Sequence, residues 1–327
     1  MKTRRDFVLD GARGLAALGW GSTAMSEEAK RTTGFVYDEI YLTHVIRPDH
    51  VESPKRLRRI LEEMRQQGLE TEVTKIPRMT EPMPHIAAHH QAQHVAGVER
   101  IPTTGKVAEA AVGGALAAVK AVSDGAVPNA FCALRPPGHH ANNTGEEEGF
   151  CYYSNAAIAA KYAQSLGHEK VLIIDWDYHH GNATQNAFYD DPTVLFFSSH
   201  DWHAYPGTGD PALTGAGEGS GLNINVHLEC HSRDKDMLDA WDRKLLPSAE
   251  KFEPDFIIIS AGFDSRREDL LGCFDVTDDA FARMTRTTMD VARRHCDGRI
   301  VSLLEGGYNV DGLAKAVAAH ISALLGG

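Results

Sequence analysis

Residues 171–182 read V-L-I-I-D-W-D-Y-H-H-G-N, four aliphatic residues running directly into two carboxylates and two imidazoles. Buried carboxylates are costly unless a cation or strong proton donors meet them. Alternation along an extended chain sends Asp175, Asp177 and His179 to one side, and Trp176, Tyr178 and His180 to the other. Asp264, in A-G-F-D, adds a further carboxylate. Asp177, His179 and Asp264 then form a set of three protein ligands with one coordination position open, the pattern of a catalytic zinc site. Fe2+ or Co2+ would suit the same donors. Asp175 is left to hold a monovalent cation or to orient a histidine. Alone, D-x-D-x-H also fits an ordinary hydrogen-bonded strand end.

Two further motifs supply proton chemistry. His139 and His140 follow Arg135-Pro136-Pro137-Gly138, a rigid loop, and an imidazole pair beside an activated water could accept and return a proton. Tyr308 follows Glu305-Gly306-Gly307, where two glycines let the backbone bring a phenol close to a ligand. Its hydroxyl could donate to a carbonyl oxygen that gains charge. A solvated histidine loop is the plain alternative for the pair.

Positioning these groups requires a scaffold that ends many strands at one place. Short aliphatic runs alternate with helical segments from about Thr33, which predicts one α/β domain over 33–327, a mostly parallel sheet with helices on both faces. The expected strands are F-V-Y-D, N-A-F-C-A-L, V-L-I-I-D, V-L-F-F-S-S, L-N-I-N-V, F-I-I-I-S and I-V-S-L-L, with helices over 107–123 and 154–165. Five of the strands deliver polar residues to the same edge, where open parallel sheets bind ligands. The helically spaced His85, His89, His90 and His94 could hold another metal, or simply form a structural helix.

The 327 residues, 43% of them hydrophobic, suffice for one large core. A net charge of -12 disfavours a phosphate-backbone binder, so no nucleic-acid partner is expected. No apolar stretch approaches the roughly 18 residues of a membrane span. Cys132, Cys151, Cys230, Cys273 and Cys296 show no C-x-x-C pair and read as small buried fillers rather than a disulfide framework. Residues 1–25 contain Arg4-Arg5 before a weakly apolar run and the small residues Ser22 and Ala24, either a twin-arginine export signal or a basic tail. The first option places the mature chain, from near Met25, outside the cytoplasm; the second leaves it cytoplasmic.

The set R-P-P-G-H-H-A, I-D-W-D-Y-H-H-G-N, S-S-H, A-Y-P-G-T-G-D, A-G-F-D and E-G-G-Y-N resembles the histone deacetylase family, in its bacterial and class II branch, from about Thr33 onward. The resemblance implies the arginase/deacetylase fold. It also implies a zinc site of Asp177, His179 and Asp264, catalytic His139 and His140, and Tyr308 polarising the scissile carbonyl. Asp175, Ser198 and the main chain of Asp177, His179 and Ser199 resemble a potassium site. Phe150 and Tyr205 would wall a substrate tunnel with Leu271 at its rim, and Arg56 would lie near a channel below the metal. The implied reaction is hydrolysis of an acyl-lysine or acylated amine, with a homo-oligomer compatible.

Departures shape the expectation. Asn182 stands where class I members carry aspartate, favouring a neutral His140. N-V-H-L replaces N-V-P-L, Glu146-Glu147-Glu148 makes one loop acidic, and the segment 100–105 offers no aspartate to grip a peptide backbone. An acetylpolyamine amidohydrolase is the alternative, with Glu146 to Glu148 or Glu268 available to a distal ammonium. An arginase-like dinuclear site would need carboxylates that Asn182 and Asp264-Ser265-Arg266 do not supply, and a non-catalytic module would typically have lost a ligand or the tyrosine.

Overall fold

A computed structural model of the chain describes residues 32–326. The segment that resembles an export signal lies outside them. Eight parallel strands form one sheet among the described residues: β1 (Gly34–Val36), β2 (Thr74–Ile76), β3 (Asn129–Cys132), β4 (Val171–Asp175), β5 (Val194–His200), β6 (Asn223–His227), β7 (Phe256–Ala261) and β8 (Ile300–Leu304). Their spatial order is β2-β1-β3-β8-β7-β4-β5-β6. The inner strands are buried on both faces, which is why β4 and β7 read as unbroken aliphatic runs.

The helices are α1 (Lys55–Gln66), α2 (Met83–His89), α3 (Ala92–Glu99), α4 (Thr104–Ser123), α5 (Asn155–Ser165), α6 (Asn182–Phe188), α7 (Asp234–Ala240), α8 (Leu246–Phe252), α9 (Asp278–His295) and α10 (Val310–Leu325). One group packs around α4 and α5, the other around α9 and α10 with α1. Helix α4 is buried almost all round, and its alanines and glycines allow close approach to β1, β3 and α5. Helix α9 is amphipathic, burying Phe281, Met284 and Thr288 at helical spacing. None of the described helices is long and apolar enough to cross a membrane.

The expected strands appear within one or two residues of their limits, whereas β2 does not read as a strand at all. Its three residues, T-K-I, lie at the sheet edge with Thr74 and Lys75 exposed, so no apolar run marks them. Cysteine behaviour also needs correction. Cys132, Cys151 and Cys296 are buried thiols, but Cys230 and Cys273 are paired as a disulfide, with Cα atoms 5.2 Å apart. No local sequence pattern marks two cysteines 43 residues apart.

At the level of packing, Trp176 marks where the sheet meets its helices. Its ring lies 5.8 Å from that of Trp241, 6.2 Å from Phe281 and 5.3 Å from the ring of His320. His320 is fully buried between Thr285 Oγ1, at 2.6 Å, and Ser302 Oγ, at 2.9 Å. Burial pushes its imidazole down to about 3. Below about pH 6.5 the unfolded chain takes up a proton at this position that the fold refuses. Stability is therefore present above pH 6.5 and lost as pH falls towards about 3. Urea unfolding of wild type and His320→Gln between pH 7.5 and 5 tests this: wild type should lose about 2 kcal/mol more than the variant. Parallel curves would remove His320 as a titrating site.

Candidate active site

At the carboxyl ends of β4, β7 and β8, ionisable groups converge in the interior. Asp175 closes β4 in register with Ser198 of β5 and Ser260 of β7. Beyond Asp175 the chain leaves the strand, so simple alternation does not continue. Trp176 enters the core as expected, but Tyr178 turns to the cavity side instead of away from it. His180 remains structural: its Nδ1 pairs with Thr208 Oγ1 at 2.8 Å, and its ring lies 4.6 Å from that of His200.

Asp177, His179 and Asp264 come together with their ligand atoms all within 4.8 Å of one another. His179 Nδ1 lies 3.1 Å from Asp177 Oδ1 and 3.0 Å from Asp264 Oδ2. The peptide N–H of Tyr178 donates to Asp264 Oδ1 at 2.8 Å, and that of Gly306 donates to Asp177 Oδ2 at 2.8 Å. A side chain at 306 would strike both carboxylates, and Gly307 adopts a φ of 114°. The double glycine is thus needed to carry the chain across the ligands to Tyr308.

Electrostatics makes this cluster short of positive charge. Burial, followed by the Asp177 carboxylate, pushes Asp264 above the usual carboxylate range. Burial also raises Glu305, to about 7, against the pull of His139. For His179, burial opposes the charge, but Asp177 and Asp264 outweigh it and hold the imidazole up at about 10. Two buried carboxylates facing one imidazole, with oxygen and nitrogen atoms converging, fit a divalent cation.

The two histidines sit in different environments. His139 Nδ1 donates to Asp175 Oδ2 at 3.0 Å, and its Nε2 lies 3.8 Å from Asp177 Oδ1. Burial works against its charge, yet Asp177 and Asp175 raise its pKa well above the ordinary histidine value. Its neighbour His140, with ring centroids 4.0 Å apart, bonds through Nδ1 to Asn182 Oδ1 at 2.8 Å. Burial and the charge on His139 push His140 well below the usual value. Glu305, to which the sequence assigned no role, supports the pair by accepting from the peptide N–H of Gly138 at 2.7 Å and of His139 at 3.2 Å.

A cavity of about 570 Å³ opens on this cluster, lined by His140, His179, Tyr308, Phe150, Tyr205, Leu271, Tyr178 and Glu147 among others. The predicted wall residues are therefore together: the Phe150 and Tyr308 rings are 5.8 Å apart, and the Tyr205 ring is 5.0 Å from that of His140. Tyr205 and Leu271 remain 51% and 40% exposed, at the opening. No protein group among the described residues hydrogen-bonds the Tyr308 hydroxyl, while its peptide N–H donates to Asp269 Oδ2 at 2.7 Å. Ser198 Oγ pairs with His200 Nδ1 at 2.7 Å, and Ser199 turns its hydroxyl to Met237 Sδ at 3.2 Å.

Behind Tyr308, Arg56 donates from Nε to the Gly307 carbonyl at 2.7 Å, and its guanidinium lies 5.1 Å from the Tyr308 ring centre. Glu52, fully buried, joins Arg56 to Arg135, which grips both its carboxylate oxygens at 2.5 and 2.7 Å. Burial works to raise Glu52, but Arg135, His44 and Arg56 hold it well below the usual carboxylate range. Arg135 opens the R-P-P-G-H-H motif and Glu52 stands four residues before Arg56, a spacing that was the available signal. The four-histidine reading does not hold as a metal site. The chain breaks between α2 and α3 at His90, and His90 and His94 are occupied by Asn143, the Ser154 and Gly145 peptide N–H groups and the Tyr152 carbonyl.

Known proteins share this fold and sequence pattern. The family model described as the histone deacetylase domain matches residues 50–324. A probable deacetylase of Archaeoglobus fulgidus is 36% identical over 86% of this chain and 82% of its own length. Histone deacetylase 15 of Arabidopsis thaliana is 37% identical over 92% of this chain, which spans only 58% of that protein. The crystal structure of the HDA15 HD domain superimposes with a TM-score of 0.84 at 35% identity, covering 90% of this chain and 88% of that one.

Removing Glu52 tests the buried network beneath the tyrosine. Glu52→Gln should lose about 3–5 kcal/mol of unfolding stability because two buried guanidinium groups lose their counter-charge. Asp124→Asn, which breaks the exposed Lys120–Asp124 pair, should leave the denaturation midpoint almost unchanged. Equal losses in chemical denaturation would contradict this ranking.

Proposed function

The chain belongs to the histone deacetylase family and has the arginase/deacetylase fold; on that premise we propose that it is a zinc-dependent amidohydrolase removing acyl groups from acylated lysines or amines. The observation that carries this reading is the convergence of Asp177, His179 and Asp264 at the cavity lined by His140 and Tyr308. A zinc ion held by those three residues would polarise the scissile carbonyl and acidify a water. Asp175 and Ser198, adjacent across β4 and β5, with the main chain of Asp177, His179 and Ser199, are assigned to structural potassium.

The protein groups divide the proton work. His140 donates from Nδ1 to Asn182, so its Nε2 carries the lone pair that accepts the proton of the attacking water. The same atom then returns the proton to the departing amine nitrogen. His139, hydrogen-bonded to the Asp175 carboxylate, is the partner whose surroundings favour the charged form, whereas His140, backed by the neutral Asn182 amide, favours the neutral one. Tyr308 donates its hydroxyl hydrogen to the carbonyl oxygen as that oxygen gains charge. Phe150 and Tyr205 enclose the aliphatic stem of the substrate, and Leu271 meets it at the rim.

A polyamine substrate is the second reading, favoured by Glu147 on the cavity wall, where its Oε1 also accepts from the Phe150 N–H at 2.7 Å. The N-terminal resemblance supports export of the mature chain from near Met25. Pairing of Cys230 with Cys273 and burial of the other three thiols are compatible with an oxidising compartment.

Metal analysis combined with turnover of acetyl-lysine peptides, longer acyl-lysines and acetylated polyamines tests the proposal. Wild type should hold one zinc per chain, Asp177→Ala should lose it, and Tyr308→Phe should retain it while kcat falls about 100-fold or more. Metal-loaded wild type inactive on every amide would overturn it. The base assignment has its own test. Asn182→Asp should raise the His140 pKa, moving the acid limb of the kcat/KM profile about 1 to 2 pH units higher. An unmoved limb would take that role away from His140.

A further inference from the structure

One loop, residues 264–277, carries several parts of the site at once. It begins with Asp264, supplies Asp269 to the peptide N–H groups of Tyr308 and Asn309 at 2.7 and 3.0 Å, and places Leu271 on the cavity wall. Two residues beyond Leu271 lies Cys273, whose Sγ is 3.2 Å from the Tyr178 hydroxyl. That hydroxyl donates to Asp201 Oδ2 at 2.9 Å, and the same tyrosine lines the cavity and donates its peptide N–H to Asp264. Cys273 therefore touches the wall of the site and shares a loop with its rim, one predicted ligand and the anchor of Tyr308.

Its partner Cys230 is exposed, in the segment that follows β6. The two segments are already fastened without sulfur. The peptide N–H of His231 donates to the Cys273 carbonyl at 2.8 Å, that of Asp275 to the Ser232 carbonyl at 2.8 Å, and Thr277 donates through N and Oγ1 to Asp234, both at 2.7 Å. Cleaving the bond would thus leave the two sulfurs within reach of each other. What the bond adds is a covalent tie at the end of the ladder nearest Leu271.

We propose that Cys230 and Cys273 form a reversible dithiol–disulfide pair that sets the stiffness of the 264–277 loop and, through Leu271 and Tyr178, the fit of substrate in the cavity. This rests on reading that cavity as the acyl-amide site. Oxidation is thiol–disulfide exchange with a small-molecule disulfide. The exposed Cys230 thiolate attacks it and releases one small thiol; the Cys273 thiolate then attacks the Cys230 sulfur of the mixed disulfide and releases the second. Two electrons pass to the small disulfide, and the two protein thiol protons end on the two released thiols. Reduction reverses each step. The buried Cys132, Cys151 and Cys296 stand apart from this chemistry.

The test uses the metal-loaded full chain equilibrated at a series of oxidised to reduced glutathione ratios. Intact mass and differential alkylation report the bond, hydrogen exchange reports residues 268–273, and a soluble acetyl-amide reports kcat and KM. We expect one two-electron transition confined to Cys230 and Cys273, slower exchange of 268–273 in the oxidised form, and at least a threefold difference in kcat/KM between the forms. Cys230→Ser should show the reduced-form values at every ratio. Absence of the 230–273 bond at the most oxidising ratio, or identical exchange and kcat/KM in both forms, overturns the proposal. Should no amide be hydrolysed in either form, the hydrolase reading falls, and the exchange comparison alone supports or overturns the coupling of bond to loop.

Discussion

Four carboxylates, those of Asp175, Asp177, Asp264 and Glu305, are fully buried at the ends of neighbouring strands. Their mutual repulsion and desolvation form the constraint around which the interior is arranged. Each receives a specific answer: Asp175 a histidine, Asp177 the Gly306 N–H, Asp264 the Tyr178 N–H and Glu305 two peptide N–H groups of the histidine loop. Peptide donors soften the cost without cancelling the charge. The raised positions of Asp264 and Glu305 express the remainder. A divalent ion at Asp177, His179 and Asp264 is the simplest group that would remove it.

Strand order explains how residues distant in sequence reach one point. Strands β4, β7 and β8 are consecutive in the sheet, so the loops after 175, 261 and 304 open side by side. β3 lies next to β8, which puts the 135–140 loop against Glu305. Parallel strands of matched register make this placement rigid, because a slip of one residue would carry Asp175 away from Ser198 and Ser260 and pull its carboxylate into the apolar run. The loops can then be irregular without being loose. The Tyr308 segment, for example, is held from one side by Asp269 and from the other by Arg56.

Much of this was legible in the residues themselves. Buried parallel strands announce themselves as aliphatic runs, and polar residues following five such runs pointed to one edge. The convergence of Asp177, His179 and Asp264, and the contact of Asp175 with His139, follow from that placement. Alternation failed for Tyr178 because the strand stops at Asp175. Strand β2 was hidden because three partly exposed edge residues carry no periodic signal. The Glu52–Arg135 pair and the Cys230–Cys273 pair depend on tertiary proximity across 83 and 43 positions, and no local pattern encodes that.

The histidine pair shows how small differences of environment divide labour between identical side chains. Both rings are buried and nearly in contact, so they cannot comfortably carry charge together. The neighbour of His139 is a carboxylate, and that of His140 is a neutral amide. Positive charge is accordingly favoured at His139 and disfavoured at His140. An aspartate at 182 would soften this asymmetry, since each imidazole would then have its own anion. Asn182 preserves it, and the imidazole that lines the cavity, that of His140, is fixed in orientation by the hydrogen bond behind it.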